Sequence, residues 1–263
     1  MKYSILLLLL FCCTAATTLP TEKYYVTFVR GSVKIEKTKK LVKVGDVLGP
    51  DDELWFSDKF SKVSCINPTK GRFDISPIVV KTGNGELYAV LKSSLIPVAS
   101  KYSLSTRSIF FEGNDPASYF NSQETQNRIL IIENKPFLVN SSYKMDKSNF
   151  FFIQYVLDGV TLTHKIQQVN QQLFFSLATF ENTPETVVLC YQQDNNGKPK
   201  SSILAKFHPV LASEAELSEQ IQLIKNISGE VKKTKLQSEV ANHLFDNYGK
   251  IGAEELSELL LKL

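Results

Sequence analysis

The sequence predicts a mainly β protein, with two strand-rich domains and a helical C-terminal region. The first observation is period-two alternation: Val33 and Ile35 alternate with charged residues, and later segments repeat the pattern. The second is the short spacing of turn residues such as Gly45, Gly49-Pro50 and Gly71, which is typical of small barrels and sandwiches. The third is a change after residue 213, where apolar residues recur three or four positions apart.

Residues 1–16, MKYSILLLLLFCCTAA, predict a secretory signal peptide. One lysine precedes an apolar run from Ile5 to Phe11, and small residues follow where cleavage would occur. A buried N-terminal helix is an alternative, but the run has no polar face. Lipid attachment at Cys13 is another, although the residues before it fit a lipoprotein signal poorly. We expect an exported protein, periplasmic or extracellular, whose mature chain has no membrane span.

Residues 24–97 predict a small β-barrel or sandwich closed by a helix. Val63 and Cys65 alternate with polar neighbours, which indicates a half-buried strand, and a Gly71 turn separates it from the next one. Apolar residues from Leu87 onward recur at helical spacing, so we expect a helix over residues 86–95.

The order of parts over residues 24–77 resembles the periplasmic domain of FecR-like proteins. It runs Gly-Ser-Val, then Val-Gly-Asp-Val-Leu, then an aspartate-rich turn, then a strand ending in Lys-Val-Ser-Cys-Ile. The matching positions are Gly31, Val33, Gly45, Asp46, Leu48, Asp52, Leu54 and Ser61. Because these are mostly glycines, aspartates and core residues, the resemblance implies a fold and a bacterial envelope setting more than an activity. Family members place a cytoplasmic segment and a membrane helix before this domain, where this chain has the predicted leader.

Residues 100–127 predict a linker or a long docked loop between the domains. The segment has no steady period, is rich in Ser, Asn and Thr, and contains Gly, Asn, Asp and Pro together at 113–116. Ile109, Phe110 and Phe111 are too apolar for a free linker, so we expect them to dock onto one of the domains.

Residues 128–210 predict a second, sandwich-like β domain of about six strands. Asp158-Gly159 lies between two strand patterns, which is a strong hairpin signal, and a second turn is expected at 194–199. Residues 213–263 predict helices. Ser213 with Glu216 fits a capping box, and the apolar stripes beyond it are typical of helix faces that pack on a core.

Composition limits the partners. Lys and Arg number 30 against 27 Asp and Glu, giving a net charge of +3, so nothing favours nucleic-acid binding. No cofactor is indicated, and no His, Cys or carboxylate spacing suggests a metal site. Of the four cysteines, Cys65 and Cys190 lie beyond the leader. We expect two separately buried thiols, with a Cys65–Cys190 disulfide as the alternative in an oxidising compartment.

No catalytic residues are indicated by the sequence. It contains no nucleophile elbow, and a carboxylate pair is neither supported nor excluded. The best candidate for a binding site is Trp55, the single tryptophan, beside Asp51 and Asp52. The favoured interpretation of Trp55 is a core aromatic, and the alternative is a contact residue at the mouth of a barrel.

These observations lead to a hypothesis of a non-enzymatic binding or scaffolding protein of the bacterial cell envelope, whose partner is an envelope protein or a cell-wall component. Two alternatives stay open. One is an envelope hydrolase with an unrecognised carboxylate site, and the other is an accessory or sensor subunit of an envelope regulatory system.

Overall fold

A computed structural model of the protein describes residues 22–77, 87–98, 110–111, 114–121, 127–180 and 185–261. The predicted leader, residues 1–16, lies outside the described residues, as does Ile109. The chain divides into two units, Met1–Val98 and Ala99–Leu263. The prediction of a mainly β protein with C-terminal helices is confirmed.

The described residues of the first unit form eight short strands and one helical turn. They are β1 (Tyr24–Arg30), β2 (Val33–Ile35), β3 (Val47–Leu48), β4 (Glu53–Phe56), β5 (Lys62–Asn67), β6 (Gly71–Ile75), β7 (Leu87–Val90), α1 (Leu91–Ser94) and β8 (Leu95–Pro97). One sheet has the order β3-β1-β5-β6-β8, and the other has the order β2-β4-β7.

Both sheets of the first unit contribute to one apolar core. Val26 and Val63 from the larger sheet, and Val33, Leu54 and Phe56 from the smaller one, belong to the same buried cluster. The alternation seen in the sequence is the reason, because every second side chain of each strand faces this cluster. The unit is therefore a small two-sheet sandwich, which is one of the two forms expected.

The helix expected over residues 86–95 is wrong for most of its length. Leu87–Val90 is a strand that pairs antiparallel with β4, and only the four residues of α1 are helical. Apolar residues in a short segment fit either period, so the sequence pattern did not decide between them. Pairing decides here, because β4 sits between β2 and β7 and gains its second hydrogen-bonded neighbour from β7.

In the second unit, the residues that the structure describes form ten strands, four helices and one 3₁₀ turn. They are β9 (Phe110–Phe111), α2 (Pro116–Phe120), β10 (Arg128–Ile132), β11 (Pro136–Leu138), β12 (Phe150–Leu157), β13 (Val160–Lys165), β14 (Gln167–Val169), β15 (Gln172–Phe174), the 3₁₀ turn Leu177–Thr179, β16 (Val187–Asn195), β17 (Lys198–Ala212), α3 (Glu214–Ser228), α4 (Lys233–Tyr248), β18 (Ile251–Gly252) and α5 (Ala253–Leu261).

The main sheet of the second unit has the order β10-β17-β16-β12-β13. Both predicted hairpins are present: Asp158 and Gly159 connect β12 to β13, and Asn196 and Gly197 connect β16 to β17. All four turn residues have positive φ, between 51° and 81°, which is the backbone of a type I′ turn. A smaller sheet, β11-β15-β14, packs on the same core, where Phe151, Leu189 and Leu173 are fully buried.

The segment expected as a linker belongs in part to the second unit. Phe110 and Phe111 pair with Ile251 and Gly252 as a two-stranded parallel ladder, so these two residues dock as expected. Asp115 caps α2, and Phe120 of that helix is fully buried in the aromatic core. The polar composition around Gly113 concealed a helix because capping residues and linker residues are the same types.

The C-terminal helices form one body with the second β domain. Ser213 and Glu216 make the expected capping box at the start of α3. Leu130 and Ile132 point away from the aromatic core, yet they are only 4% and 5% exposed, because β10 contacts α4 on that side. In the described part of the chain, no helix combines the length and apolarity needed to cross a membrane.

Candidate binding surface

Trp55 does not lie in the core of the first unit. Its neighbours Leu54 and Phe56 are 0% and 1% exposed, respectively, whereas Trp55 is half-buried and absent from their cluster. Successive side chains of a strand point to opposite faces, so Trp55 projects from the outer face of the β2-β4-β7 sheet. The core interpretation favoured by the sequence is therefore wrong, and the contact-residue alternative is the one that the geometry allows.

A lysine from the neighbouring strand lies against this tryptophan. Lys34 is directly opposite Trp55 in the β2–β4 register, and its Nζ is 5.3 Å from the ring centroid, within range of a cation–π interaction. On the other side, the backbone of Tyr88 is opposite Trp55 in the β4–β7 register. Glu53 has the same parity on β4 and is exposed. We call the side chains of Lys34, Glu53 and Trp55 the outer tryptophan surface.

Asp51 and Asp52 lie in the turn before β4, and Asp52 holds that turn. The Asp52 carboxylate accepts a hydrogen bond from the Gly49 amide at 2.8 Å, and its backbone carbonyl accepts one from Leu91 N at 3.0 Å. Asp51 is exposed in the same turn. The sequence placed these carboxylates beside Trp55 because they are close in the chain, but strand pairing puts Lys34 there instead.

The loop that follows β4 presents a second aromatic residue. Phe60 is 67% exposed, with Lys59 Nζ 4.9 Å from its ring centroid. Asp58 anchors the loop by accepting hydrogen bonds from Ser61 Oγ at 2.8 Å and Ser57 Oγ at 2.9 Å. These bonds stabilise the carboxylate and hold the pKa of Asp58 below its ordinary value.

Ser61 in this loop packs directly on Gly31. A Cβ added to Gly31 would be 2.2 Å from Ser61 Oγ, and the glycine has a φ of +74°. Both residues are among the positions that carry the FecR-like resemblance. Their contact fixes the loop that leads into β5, so both residues serve the fold.

The two cysteines beyond the predicted leader, Cys65 on β5 and Cys190 on β16, are free and buried. Burial, with the nearby charge of Asp74 as a smaller cause, raises the pKa of Cys65 to about 12. Burial also raises the pKa of the Cys190 thiol. Since the thiolate is the nucleophile and the metal ligand, neither residue is poised for that chemistry at neutral pH.

The histidines all have hydrogen-bonding partners in the second unit. The Nε2 atom of His243 is 2.8 Å from Gln220 Oε1, which assigns its proton to Nε2, and Asn247 Nδ2 lies 3.1 Å from Nδ1. His164 stacks on Tyr155 with 5.5 Å between ring centroids. His208 Nδ1 lies close to Thr186 Oγ1 at 3.3 Å. Across the described residues, no group of three His, Cys, Asp or Glu side chains is placed to hold a metal ion.

Glu255 lies near the start of α5 and is half-buried. It folds back on Gly252, where an added Cβ would be 1.8 Å from Glu255 Oε2. Burial raises the pKa of Glu255, with smaller contributions from the charges of Glu254 and Glu258. Burial raises the pKa of Tyr119, and the charge of Glu255 is a smaller cause in the same direction.

Replacing this carboxylate should make the protein more stable at neutral pH. A raised pKa in the folded state means that Glu255 favours folding below its unfolded pKa and loses that contribution as pH rises through its folded pKa. Glu255→Gln should therefore raise the Tm at pH 7 and match the parent near pH 4. Thermal unfolding across this range checks it, with Glu219→Gln, at an exposed position of α3, as the control. A gain that is the same at both pH values would contradict the assignment.

Comparison of the chain with protein-family models, with curated protein sequences and with solved structures found no match.

Proposed function

We propose that the protein is an exported, non-enzymatic binding or scaffolding component of the bacterial cell envelope, which contacts an envelope protein or a cell-wall component through the outer tryptophan surface. The observation that carries this proposal is the position of Trp55, half-buried on the solvent side of a sheet whose other side forms the core.

The composition of the surface supports a binding role. A tryptophan ring offers a flat apolar contact for a sugar ring or an apolar side chain, and Lys34 and Glu53 beside it offer a cation and an anion. Tryptophan is also the residue type most enriched at energetic centres of interfaces. The leader-like residues 1–16 and the FecR-like order of residues 24–77 support the envelope setting.

The single tryptophan makes the proposal directly measurable. Intrinsic fluorescence of the protein reports on Trp55 alone, so titration with soluble peptidoglycan fragments, and separately with detergent-solubilised envelope proteins, reads out this surface. We expect the emission to shift with one of the two. Truncating a central interface tryptophan typically weakens binding by about 2 kcal/mol or more, roughly thirtyfold. Trp55→Ala should therefore remove most retention on the immobilised ligand.

Phe60→Ala is the matched control, because it removes an exposed aromatic from the adjacent loop without changing the sheet. Retention that survives Trp55→Ala but is lost in Phe60→Ala would move the contact to the loop. Robust turnover of cell-wall or glycan substrates by the purified protein would overturn the non-enzymatic proposal.

A further inference from the structure

Strand β13 is a long, regular edge of the main sheet in the second unit. It pairs with β12 over six residues without a register shift and is last in the strand order. Along an antiparallel strand, every second residue directs its backbone N–H and C=O toward the partner strand. Ile166 N donates to Phe151 O at 3.0 Å, so the backbone groups of Thr161, Thr163 and Lys165 point away from β12. No strand pairs with that side among the described residues.

Natural edge strands usually carry a feature that prevents further pairing, such as a proline, a bulge or an inward-pointing charge. β13 has none of these within Val160–Lys165, and its one lysine is the last residue. Apolar side chains at this edge are also uncovered: Val160 is 60% exposed and Val156, across the hairpin, is 64% exposed. The edge is therefore built in a way that permits a further strand.

The sequence of β13 suits pairing with itself. In an antiparallel pair, residues directly opposite each other have their side chains on the same side of the sheet. A two-fold axis perpendicular to the sheet must therefore pass through a residue and not between two residues. An axis at Lys165 would set two lysines against each other. An axis at Thr163 sets Thr163 against Thr163 of the second copy and Lys165 against the second copy's Thr161, so the lysines stay apart and five residues pair.

The same register places the β12–β13 turn of the second copy at an open cleft. Counting along β13, the second copy's Val160 falls opposite Ile166, so its Asp158-Gly159 turn lies just beyond the end of the strand. A cleft of about 530 Å³ lies there, at the end of β13, and Lys147, Lys165 and Gln168 are among its lining residues. The cleft therefore has the position and the size to receive an Asp-Gly turn.

The charges of turn and cleft are complementary. Asp158 is exposed, as are Lys147 and Lys165, and in the described part of the chain none of the three is in an ion pair. Lys165 instead has its Nζ 4.0 Å from the Phe150 ring centroid. Asp146 also lines the cleft, but its oxygens accept from Ser148 N and Asn149 and pair with Lys144, so the lysines are the available charges.

We infer that two copies of this chain associate through antiparallel pairing of their β13 strands about a two-fold axis at Thr163, with each Asp158 turn entering the other copy's cleft beside Lys147 and Lys165. The main sheets of the two copies then form one continuous ten-stranded sheet.

Sedimentation equilibrium of the purified full chain tests the association. We expect a monomer–dimer equilibrium, and Asp158→Lys should weaken it roughly tenfold, since two symmetric charge contacts become repulsive. Adding Lys147→Asp to that variant should restore much of the lost affinity. Glu219→Lys, an exposed residue of α3 with the same change in charge, is the control and should leave the equilibrium unchanged.

A second pair of variants tests the register. Thr163→Glu places two carboxylates opposite each other and should weaken the dimer roughly tenfold. Thr161→Glu places a carboxylate opposite the second copy's Lys165 and should strengthen it. Because both changes put the same residue on the same face of the same strand, opposite signs can come only from the pairing. A chain that stays monomeric up to its solubility limit, or a dimer in which the two variants behave alike, would overturn the inference.

Discussion

Phe120→Ala should destabilise the second unit by about 3 to 5 kcal/mol, the typical loss for a phenylalanine removed from a packed core. Phe120 is fully buried and lies 4.7 Å, between ring centroids, from Phe207 and 5.3 Å from Phe137. These partners come from β17 and from the smaller sheet, so the ring connects two sheets and α2. Removing it leaves a cavity that the surrounding strands can fill only in part.

Urea unfolding followed by far-UV circular dichroism measures this loss, and Phe60→Ala is the control. Phe60 is 67% exposed, so the same deletion there should change the free energy of unfolding by less than about 0.5 kcal/mol. Phe120→Leu, with an intermediate loss, keeps the comparison possible if the alanine variant does not fold. Equal midpoints for Phe120→Ala and the parent would mean that the 116–120 helix does not close the core.

The burial of Phe120 is a feature that the sequence pattern does not predict. Strands were predictable because each residue's burial follows a local period of two, and both type I′ turns were predictable because Asp-Gly and Asn-Gly adopt positive φ with little strain. The docking of α2 depends on contacts with residues far along the chain. Its five residues contain no period that a pattern could detect.

The candidate surface shows the same division. Trp55 is a candidate from its residue type alone. Whether its side chain faces the core depends on which residues of β4 point inward, and the apolar neighbours Leu54 and Phe56 indicate that Trp55 points outward. Its lysine partner was out of reach, because the opposition of Lys34 and Trp55 follows from the β2–β4 register and not from distance in the chain. Asp51 and Asp52 are the charged residues close to Trp55 in the chain, and for that reason the sequence indicates them and not Lys34.

The strand β7 was the clearest error, and its cause is general. A four-residue apolar segment has room for one helical turn or two strand repeats, so neither period is established. Hydrogen bonding with β4 resolves the ambiguity, and that information lies some thirty residues away in the chain.

Gly249→Ala should destabilise the second unit by about 3 kcal/mol or more. Gly249 ends α4 with a φ of 98°, and a Cβ there would be 2.4 Å from the backbone oxygen of Arg128. Positive φ alone costs an alanine about 1 kcal/mol. The collision adds to this, because the obstructing atom belongs to the backbone of β10 and cannot rotate away.

The surrounding hydrogen bonds explain why the collision cannot be relieved cheaply. Lys250 N donates to Arg128 O at 2.9 Å, and Leu130 N donates to Lys250 O at 2.8 Å, so the chain after α4 is tied to β10 at the point of contact. Moving this segment away from β10 breaks these hydrogen bonds, each of which stabilises the fold by about 1 kcal/mol. It also displaces the Lys250 side chain, whose Nζ donates to Tyr119 O at 2.9 Å in a buried site.

Gly197→Ala separates the cost of the positive φ from the cost of the collision. Gly197 has a φ of 81° in the β16–β17 turn, but an added Cβ would meet nothing within 4 Å. Its substitution should therefore cost only the backbone term, about 1 kcal/mol. Urea unfolding of both variants measures the difference, which is the cost of the collision with Arg128. If the two alanine variants lost the same stability, the close approach of Gly249 to Arg128 would carry no energetic weight, because the chain after α4 could move away from β10 at no cost.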